Sequence, residues 1–376
     1  MRESIEERRL RILDVLDQHE EVKVAHLAAL LNVSMVTVRR DLETMATQGS
    51  IQRRHGMVRR AHGEFSGAPE GSASQGTVAI IAPERHSYLG AVTHGARRFL
   101  EHAGFRVVLH LTPNTANPER HAVAEMLHSG ADGVLLAPRW RTLEQQDHAV
   151  AMLADLSLPT VLLERRPSRA LGLRSVDSVC TDHVYGVHLA LDHLTSKGHV
   201  RILLAAREDS PTARTVNSAF VALAREHPGI EHWMTVLSAP DAGATTHPSV
   251  SGSAAPVTTK HRARPHHEDP NWLPDLVREQ KFTAVIIHSD ENALVLSQRL
   301  EAAGVRVPQD CAVVAYDDVV AGLGNIPLTA VSPPKEEVGR AGALLLSQRI
   351  RAERGGTIWT PHRVELLPDL RVRDST

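Results

Sequence analysis

Short apolar runs that alternate with segments of helical periodicity are the feature that most constrains this chain of 376 residues. The runs are rich in Val, Ile, Leu and Ala, as strands are when helices cover both faces of a parallel sheet. Helical patterns separate most of them, for example at Leu89–His102, Val184–Ser196 and Lys335–Arg351. Repeated βα units of this kind predict α/β lobes with doubly wound parallel sheets. The predicted strands are Thr77–Pro83, Val107–Thr112, Gly133–Pro138, Thr160–Glu164, Arg201–Ala206, Thr235–Ser238, Thr283–His288, Cys311–Asp317, Thr329–Ser332 and Arg363–Leu367.

Residues 1–60 show a different pattern, which predicts a small α+β unit. Three helices are expected, and Ser34 is placed to cap the amino end of the third. A short basic hairpin is expected to follow, with Ser50–Arg54 and Met57–Arg60 as its strands. The apolar residues at helical spacing that we expect to face the core are Ile5, Ile12, Leu13, Leu16, Leu27, Leu30, Leu31, Val38, Leu42 and Met45.

A linker at residues 61–76, rich in Gly, Ser, Ala and Pro, separates this unit from residues 77–376. The second part is long for one doubly wound sheet, so two similar lobes are predicted. Residues 239–270 interrupt the second lobe with a stretch rich in Ala, Pro, Ser, Thr and His that shows no strand or helix pattern. We predict a disordered surface insertion there.

The charge distribution is uneven along the chain. The formal net charge is −2, yet residues 32–63 contain six arginines against Asp41 and Glu43, which gives this segment a charge of +4. A small basic module on a near-neutral body is the charge layout of a regulator that holds DNA with one end. A solvated charged surface has the same signature, so charge alone leaves both interpretations open.

Cysteine content and apolar runs bear on the compartment. Cys180 and Cys311 are the two cysteines, too few for a disulfide framework, which fits a reducing environment. The first residues lack an apolar signal core, and no run approaches the roughly 18–20 apolar residues of a membrane helix. We therefore expect a cytoplasmic protein without a membrane partner.

The sequence lacks the nucleotide-binding and nucleophile motifs that are typical of enzymes with a doubly wound fold. No Gly-x-Gly-x-x-Gly follows the first strand, where the sequence reads Ala82-Pro83-Glu84-Arg85-His86, and neither a P-loop nor a Gly-x-Ser-x-Gly elbow is present. The sequence predicts no catalytic residue and no cofactor. His261, His266 and His267 in the insertion lack cysteine partners and an ordered frame, so we predict no metal site.

The first unit resembles the winged helix-turn-helix of the DeoR type. The resemblance covers about the first 60 residues and is most specific in the run Val33-Ser34-Met35-Val36-Thr37-Val38-Arg39-Arg40-Asp41-Leu42. Met57 departs from it, since the type has a second glycine after His-Gly. The resemblance implies double-stranded DNA as partner, with phosphate contacts at Ser34 and Thr37, a groove-facing surface at Val36, Arg39 and Arg40, and wing contacts at Arg53, Arg54 and His55.

The body resembles the effector-binding domain of the LacI–GalR regulators, which has the periplasmic-binding-protein type I fold. The residues that carry the resemblance include Leu163-Glu164-Arg165-Arg166-Pro167, Ser289-Asp290-Glu291, Tyr316-Asp317-Asp318 and the ending from Pro368 to Thr376. It implies a homodimer and three crossings between the lobes, near Cys180, Val331 and Gly355. Lobe 1 would comprise residues 77–180 and 332–354, and lobe 2 residues 181–331 and 355–372.

The same resemblance implies a small-molecule effector between the lobes, at the ends of the strands. Asp317 is the strongest candidate, because a carboxylate at a strand end can accept two ligand hydroxyls, although a helix cap or a loop salt bridge is the alternative. Tyr88 and Trp140 would stack on a ring face or pack in the core. The full set carried over is His86, Tyr88, Trp140, Glu164, Arg165, Asp182, Ser289, Asp290 and Asp317.

Two departures bear on the ligand. Val216 stands where the family has a ligand-binding arginine, for which Arg214 is a possible substitute, and Ser289 replaces an asparagine. A plain sugar, a sugar derivative, another small polar ligand and a sensor that binds nothing all stay open. We predict a ligand-responsive DNA-binding regulator, a repressor with a sugar-like effector. The alternative class is a doubly wound enzyme with an accessory DNA-binding head.

Overall fold

The computed structural model divides into two compact units, Met1–Ser72 and Ala73–Thr376. The structure describes residues 8, 11–12, 15, 22–31, 33–35, 37–38, 41–42, 51–54, 57–60, 75–84, 87–112, 118–128, 130–154, 156, 158–166, 176–238, 251–253 and 269–376. Among these residues no helix combines the length and the apolar character needed to cross a bilayer.

The first unit contains a three-stranded antiparallel sheet in the order β1-β3-β2. Strands β2 and β3 form the predicted basic hairpin, in which Ile51 pairs with Arg60 and Arg54 with Met57. The labelled elements are β1 (Val22–Lys23), α1 (Val24–Leu31), β2 (Ile51–Arg54) and β3 (Met57–Arg60).

All but one of the described residues that helical spacing assigns to the core of the first unit are buried. Ile12, Leu27, Leu31, Val38 and Leu42 are at most 3% exposed, as predicted. Leu30 does not point inward: 46% of it is exposed, because Leu27, Ala28 and Leu31 already fill the buried side of α1. The remaining predicted core positions Ile5, Leu13, Leu16 and Met45 lie outside the described residues.

Ser34 caps the helix that follows it, as its position predicts. The amide of Thr37 donates to Ser34 Oγ at 3.1 Å, and the amide of Val38 donates to the Ser34 carbonyl at 3.1 Å. On the same helix Asp41 is 4% exposed, and its carboxylate forms a 2.6 Å ion pair with Arg8. A side chain from the start of the unit is thereby tied to the third helix.

The first lobe of the second unit is a six-stranded parallel sheet in the order β15-β8-β7-β6-β4-β5. The central strands are fully buried, which explains why they read as unbroken aliphatic runs. Its elements are β4 (Thr77–Pro83), α2 (Ser87–His102), β5 (Arg106–Thr112), α3 (Pro118–His128), β6 (Gly133–Leu136), α4 (Leu143–Ala154), β7 (Thr160–Leu163), β8 (Asp177–Thr181), α9 (Lys335–Arg354) and β15 (Arg363–Leu366).

The second lobe is a seven-stranded, mostly parallel sheet in the order β11-β10-β9-β12-β13-β14-β16, whose two outer strands are antiparallel. A short 3-10 helix, Ala321–Leu323, follows β13. The elements are α5 (His183–Ser196), β9 (Arg201–Ala206), α6 (Pro211–Glu226), β10 (His232–Leu237), β11 (Ser251–Ser253), α7 (Trp272–Gln280), β12 (Ala284–Ile287), α8 (Asp290–Ala302), β13 (Ala312–Tyr316), β14 (Thr329–Ser332) and β16 (Asp369–Arg371).

The third crossing between the lobes differs from the expected one. The chain crosses between β8 and α5 and between β14 and α9, close to the expected places. The expected crossing near Gly355 is wrong, because β15 pairs with β8 in the first lobe while β16 pairs with β14 in the second. The third crossing therefore lies at Leu367-Pro368, and residues 363–366 belong to lobe 1.

Four strands of the structure were not predicted, namely β1, β8, β11 and β16. Strand β8 reads Asp-Ser-Val-Cys-Thr, and its buried Asp177 is satisfied by distant donors, Arg349 and Trp359, each at 3.0 Å. Strand β11 lies inside the predicted insertion and pairs antiparallel with β10. This pairing is made by backbone hydrogen bonds, so it leaves no pattern of apolar side chains in the sequence. Residues 239–250 and 254–268 of that insertion lie outside the described residues.

Helices α2 and α9 of the first lobe cross at very short distance, which glycines allow. A Cβ atom at Gly339 would lie 1.9 Å from the Val92 carbonyl oxygen, and one at Gly95 would lie 2.1 Å from the Glu336 carbonyl oxygen. Both would collide with backbone, which cannot rotate away as a side chain can. These two positions fix how closely the helices pack.

Candidate functional site

Loops that follow strands of both lobes line a cavity of about 190 Å³. The carboxyl edge of a doubly wound sheet is where ligands bind, because the loops that follow the strands can project polar groups there. The first lobe contributes Pro83, Ser87, Tyr88, Leu89, Arg139, Arg141 and Arg165, and the second contributes Arg207, Asp209, Ser210, Thr212, His288, Ser289, Asp290, Glu291, Asp317 and Val319.

Backbone strain is concentrated at the same edge. Four of the five non-glycine residues with positive φ in the described part of the chain, Trp140, Glu164, Asp317 and Asp318, follow strands β6, β7 and β13. Such conformations persist only where the surrounding structure imposes them, and they cluster at ligand sites. The loops turn sharply enough to present side chains toward the space between the lobes.

Asp317 is one of two buried carboxyl groups in the cavity lining, the other being Asp290. Asp317 follows β13, is 8% exposed, and has its Oδ2 3.8 Å from Nε2 of His288. Burial, together with the nearby charge of Asp290, raises the pKa of Asp317 to about 8, although Lys335 acts in the opposite direction. At neutral pH Asp317 is therefore mostly protonated and can both donate a hydrogen bond and accept one.

Asp290 lines the cavity but is engaged in holding a loop. It begins α8 directly after Ser289, the N-cap residue. Its Oδ2 accepts hydrogen bonds from the backbone amides of Val320 at 2.6 Å and Ala321 at 3.1 Å. Burial raises the pKa of Asp290 even though these bonds favour the ionised form. The carboxyl thus positions the loop after β13, which carries Asp317 at its start.

Four arginines line the cavity, of which three were not predicted. Arg139 and Arg141 follow β6, and Arg207 follows β9. Arg207 forms a two-point ion pair with Asp209, at 2.8 and 2.6 Å. Burial and then the charge of Arg141 lower the pKa of Arg139. These residues lie in loops without periodicity, so only their position directly after predicted strands could have indicated them.

Arg165 and Tyr88 were expected in the cleft and do line the cavity, each fixed by neighbours. Arg165 Nε donates to the Pro138 carbonyl at 2.5 Å, and its Nη1 donates to the Glu164 carbonyl at 2.7 Å. The Tyr88 hydroxyl donates to Glu164 Oε1 at 2.7 Å. Burial, followed by the charges of Glu164 and Asp317, raises the pKa of Tyr88, so it stays a neutral donor.

Glu164 does not line this first cavity but a second one between the lobes, together with Thr181 and His183. Besides Tyr88, the Thr181 hydroxyl donates to its Oε1 at 2.8 Å, and His183 Nε2 is 3.4 Å from its Oε2. Burial raises the pKa of Glu164, but hydrogen bonds from His183, Tyr88 and Thr181 outweigh this and lower it to about 2. Since Thr181 ends the first lobe's β8 and His183 begins α5, the carboxylate holds the first crossing in place.

Two other residues expected in the cleft, Trp140 and Asp182, lie elsewhere, whereas Arg214 lines the second cavity between the lobes. Trp140 is 3% exposed and packs in an apolar cluster of the first lobe. Asp182 caps α5 and accepts from the amides of Val184 and Tyr185 at 3.0 Å each. Arg214 donates to the carbonyls of Arg141 at 2.8 Å and Trp140 at 3.0 Å, which joins the lobes, and it lines the second cavity between them.

The role of Arg214 as a substitute for the family's arginine stays a prediction, because Arg214 lines the second cavity rather than the first. Val216, the position where the family has an arginine, is fully buried among apolar residues of α6 and the second sheet. His86 lies outside the described residues.

In the first unit, the structure describes only part of the predicted DNA-contacting surface. Ser34 is exposed and Thr37 is half-buried, with their hydroxyls 2.8 Å apart. Arg53 and Arg54 lie on β2, but their side chains, like Val36, Arg39, Arg40 and His55, fall outside what the structure describes. Their contacts with DNA stay a prediction.

Comparisons with known proteins agree with both parts of the chain. Residues 8–64 match the DeoR-like helix-turn-helix domain family. Residues 74–239 match the periplasmic binding proteins and sugar binding domain of the LacI family, and residues 191–376 match a periplasmic binding protein-like domain.

Relatives match nearly the whole chain. The HTH-type transcriptional regulator CelR of Thermobifida fusca is 30% identical over 364 residues, which are 93% of this chain and 96% of CelR. The arabinose metabolism transcriptional repressor of Geobacillus stearothermophilus is 24% identical over 363 residues, covering 95% of this chain and 92% of that repressor.

Solved structures share the fold. A complex of the transcriptional regulator CelR with cellobiose covers 94% of this chain and 100% of that one, at 24% identity and a TM-score of 0.60. A periplasmic binding protein/LacI transcriptional regulator from Alkaliphilus metalliredigens QYMF, complexed with D-xylulofuranose, covers 80% of this chain and 98% of that one, at 18% identity and a TM-score of 0.59. The chain belongs to the LacI family of transcriptional regulators, and its head is of the DeoR-like helix-turn-helix type.

Proposed function

We propose that this chain represses transcription by binding an operator through its winged head, and that a sugar-like effector in the cavity between the lobes releases it. The observation that carries the proposal is the convergence of loops from both lobes on one polar cavity, with Asp317 buried in its wall. The names of relatives support the effector class, because they include a repressor of arabinose metabolism and a regulator complexed with cellobiose.

The cavity suits a sensor because its two walls belong to different lobes. A ligand that contacts Tyr88 on one side and Asp317 on the other favours the lobe arrangement in which both contacts are made. Such a preference is what an effector needs in order to shift a two-state equilibrium. The bound effector would thereby lower the affinity of the head for DNA.

The partners that this role requires are operator DNA and a second copy of the chain. A helix-turn-helix head contacts one half-site, and a two-fold dimer reads a palindrome with matching spacing. We therefore propose a homodimer that acts in the cytoplasm, where the chromosome is.

The test begins with the operator. DNA selected from genomic fragments by the purified protein is used in fluorescence anisotropy at fixed salt, since affinity depends steeply on salt. Sugars and related metabolites are screened for a rise in melting temperature, which a ligand of the folded state produces by mass action. We expect at least one compound that both raises the melting temperature and releases the operator.

The Asp317→Ala variant ties that response to the cavity. It should bind operator as the wild type does without effector, and it should fail to release the operator at the effector concentration that suffices for the wild type. Release at an unchanged concentration would mean that Asp317 is only a structural residue. Absence of sequence-specific DNA binding would contradict the repressor function itself, and turnover of a bound metabolite would favour the enzyme alternative.

A further inference from the structure

The second cavity between the lobes has a volume of about 750 Å³. This volume lies within the roughly 300–1,000 Å³ that is typical of small-molecule pockets. The first lobe contributes the start of α4, the loop after β7 and the end of β8, and the second contributes α6 and the start of α5. Thr212 lines the first cavity as well as the second, so the two are neighbours.

Apolar side chains from both lobes are left exposed in this second cavity. Leu143 at the start of α4 is 65% exposed, and Val184 on α5 is 39% exposed. Ala222 and Leu223 on α6 add exposed and half-buried apolar surface to the same lining. Single exposed apolar residues are ordinary on a protein surface, but several that line one cavity are typical of a ligand site. Covering them is favourable, so the lining indicates a ligand with an apolar body.

Arg214 brings a positive charge into the same lining. Its Nη1 and Nη2 donate to the main-chain carbonyls of Arg141 and Trp140, and it forms no ion pair with any carboxylate in the part of the chain that the structure describes. Burial lowers the pKa of Arg214, and the charges of Asp209 and Glu208 act in the opposite direction. A guanidinium stays protonated at neutral pH and has five N–H donors, of which these two bonds use two. The others are available to a ligand.

The other charged groups of the lining already have partners. The Arg166 guanidinium lies 3.0 Å from Glu365 and 3.6 Å from Asp182. The Glu164 side chain is only 1% exposed, and its Oε2 lies 3.4 Å from His183 Nε2. Arg214 is therefore the charge that an anion can approach in this cavity without breaking an existing ion pair.

We propose that the second cavity binds a small carboxylate with an apolar body, either aromatic or branched. Arg214 binds the carboxylate, since charge-assisted hydrogen bonds to a guanidinium are strong, and Leu143 and Val184 cover the apolar body. Because both lobes line the cavity, such a ligand favours one arrangement of the lobes. This site is additional to the proposed effector cavity and takes a ligand that is not sugar-like.

Matched acids and amides test the proposal. Phenylacetate and isovalerate are the probes, and each is compared with its own amide, which keeps the apolar body without the charge. Acetate keeps the charge without the body. All are titrated into the full chain by calorimetry at equal ionic strength, and thermal shift provides a second readout, because a ligand of the folded state raises the melting temperature.

Two variants change the two features of the site separately. Arg214→Gln removes the charge, and Leu143→Asn removes apolar surface while leaving the bonds of Arg214 to the first lobe in place. Their matched controls are Arg340→Gln, an exposed arginine of α9 that pairs with Glu337, and Leu323→Asn, a leucine that is 78% exposed. Neither control residue lines the first or the second cavity.

We expect at least one of the two acids to bind roughly 10-fold or more tightly than its amide, and acetate to bind more weakly than both acids. Arg214→Gln should remove the preference for acid over amide. Leu143→Asn should weaken binding of the acid roughly 3- to 10-fold, because less apolar surface is covered. Both control variants should bind as the wild type does.

Three results would overturn the proposal. These are failure of both acids to bind at millimolar concentration, equal affinity for acid and amide, and binding that depends on neither Arg214 nor Leu143. Melting temperature without ligand verifies that each variant is folded. If Arg214→Gln does not fold, the acid-to-amide ratio of the wild type and the effect of Leu143→Asn decide the outcome. No measurement uses operator DNA or a sugar, so loss of the proposed function would appear separately, in operator binding.

Discussion

At the scale of single residues, the site depends on buried groups whose protonation the surrounding protein sets. Glu164 and Asp317 are both carboxyl groups that follow the carboxyl end of a strand, one in each lobe, yet hydrogen bonds lower the pKa of Glu164 to about 2 while burial raises the pKa of Asp317 to about 8. Glu164 is thereby a fixed anion that orients Tyr88, and Asp317 is a neutral group at pH 7. The different surroundings of the two carboxyl groups, rather than the residue type, determine that Glu164 is ionised and Asp317 is neutral.

The raised pKa of Asp317 predicts a pH-dependent stability that Asp317→Asn removes. The folded protein holds this proton up to about pH 8, whereas the unfolded chain loses it near 3.8. Because the folded state binds more protons in this window, its stability falls as pH rises, by about 1.4 kcal/mol per pH unit for this group. The variant should become increasingly more stable than the wild type from pH 5 to pH 8, and the gap should level off above pH 8.

Chemical denaturation at fixed ionic strength measures that gap. Asp369→Asn, a change at an exposed position of β16, serves as the control and should follow the wild type at every pH. If the Asp317→Asn and wild-type curves run parallel from pH 5 to pH 9, Asp317 is ionised in the folded state and the assignment of its proton is wrong.

At the scale of elements, the crossing of α2 and α9 in the first lobe requires residues without a side chain at Gly95 and Gly339. Gly339→Ala should destabilise the protein by about 1–3 kcal/mol or more, because the new methyl group would meet the Val92 carbonyl. Gly90→Ala on α2 is the matched control, since a Cβ there has nothing within 4 Å in the described structure. It should be neutral or stabilising by up to about 1 kcal/mol. Equal effects of the two changes, in thermal or denaturant unfolding, would contradict the close crossing.

The third helix of the head carries a second element-scale prediction. Val38 and Leu42 are buried, so helical spacing assigns Arg40 to the outer face of that helix, although Arg40 itself lies outside the described residues. Arg40→Ala should weaken operator binding by about 1–3 kcal/mol while leaving the melting temperature unchanged. Anisotropy titrations at fixed salt, with Arg340→Ala as a variant of equal charge change, measure the effect. Equal operator affinity for both variants would reject the recognition-helix assignment.

The elements themselves could be predicted well wherever burial is local and apolar. Strands such as β4 and β9 match their predicted limits, because fully covered strands leave an unmistakable aliphatic run. Strand β8 could not be found this way, since its Asp177 is stabilised by partners more than 170 positions away in the sequence. The prediction that assigned β15 to the second lobe was wrong for a related reason. The local sequence pattern shows that a strand forms but does not determine which of two sheets it joins.

The candidate site was harder to predict than the fold. Resemblance led to Asp317, Asp290 and Tyr88, which line the cavity, but also to Trp140 and Asp182, which do not. The loop arginines after β6 and β9 were missed, because their role depends on which strand ends face each other across the lobes. That relation exists only after two sheets have been assembled.

At the scale of the whole molecule, effector and operator must influence each other equally if the proposed function holds. If bound effector lowers the affinity of the protein for operator by a given factor, bound operator must lower its affinity for effector by the same factor. We expect calorimetric titrations of the effector into free and operator-saturated protein to differ by the ratio found in anisotropy. Unequal factors, at matched salt and temperature, would mean that the effector acts outside this simple linkage, for example by changing the oligomeric state.

The placement of β15 and β16 has a consequence for how the chain is made. Residues 363–366 complete the sheet of one lobe and residues 369–371 complete the sheet of the other. As the chain leaves the ribosome, neither sheet has all its strands until this short segment has emerged, although the first lobe's other strands are made much earlier. The two lobes must therefore finish folding almost together, and premature termination before residue 363 would leave both with an open edge. Dissecting the sensor into a single working lobe would accordingly require rejoining distant pieces of the chain rather than cutting it once.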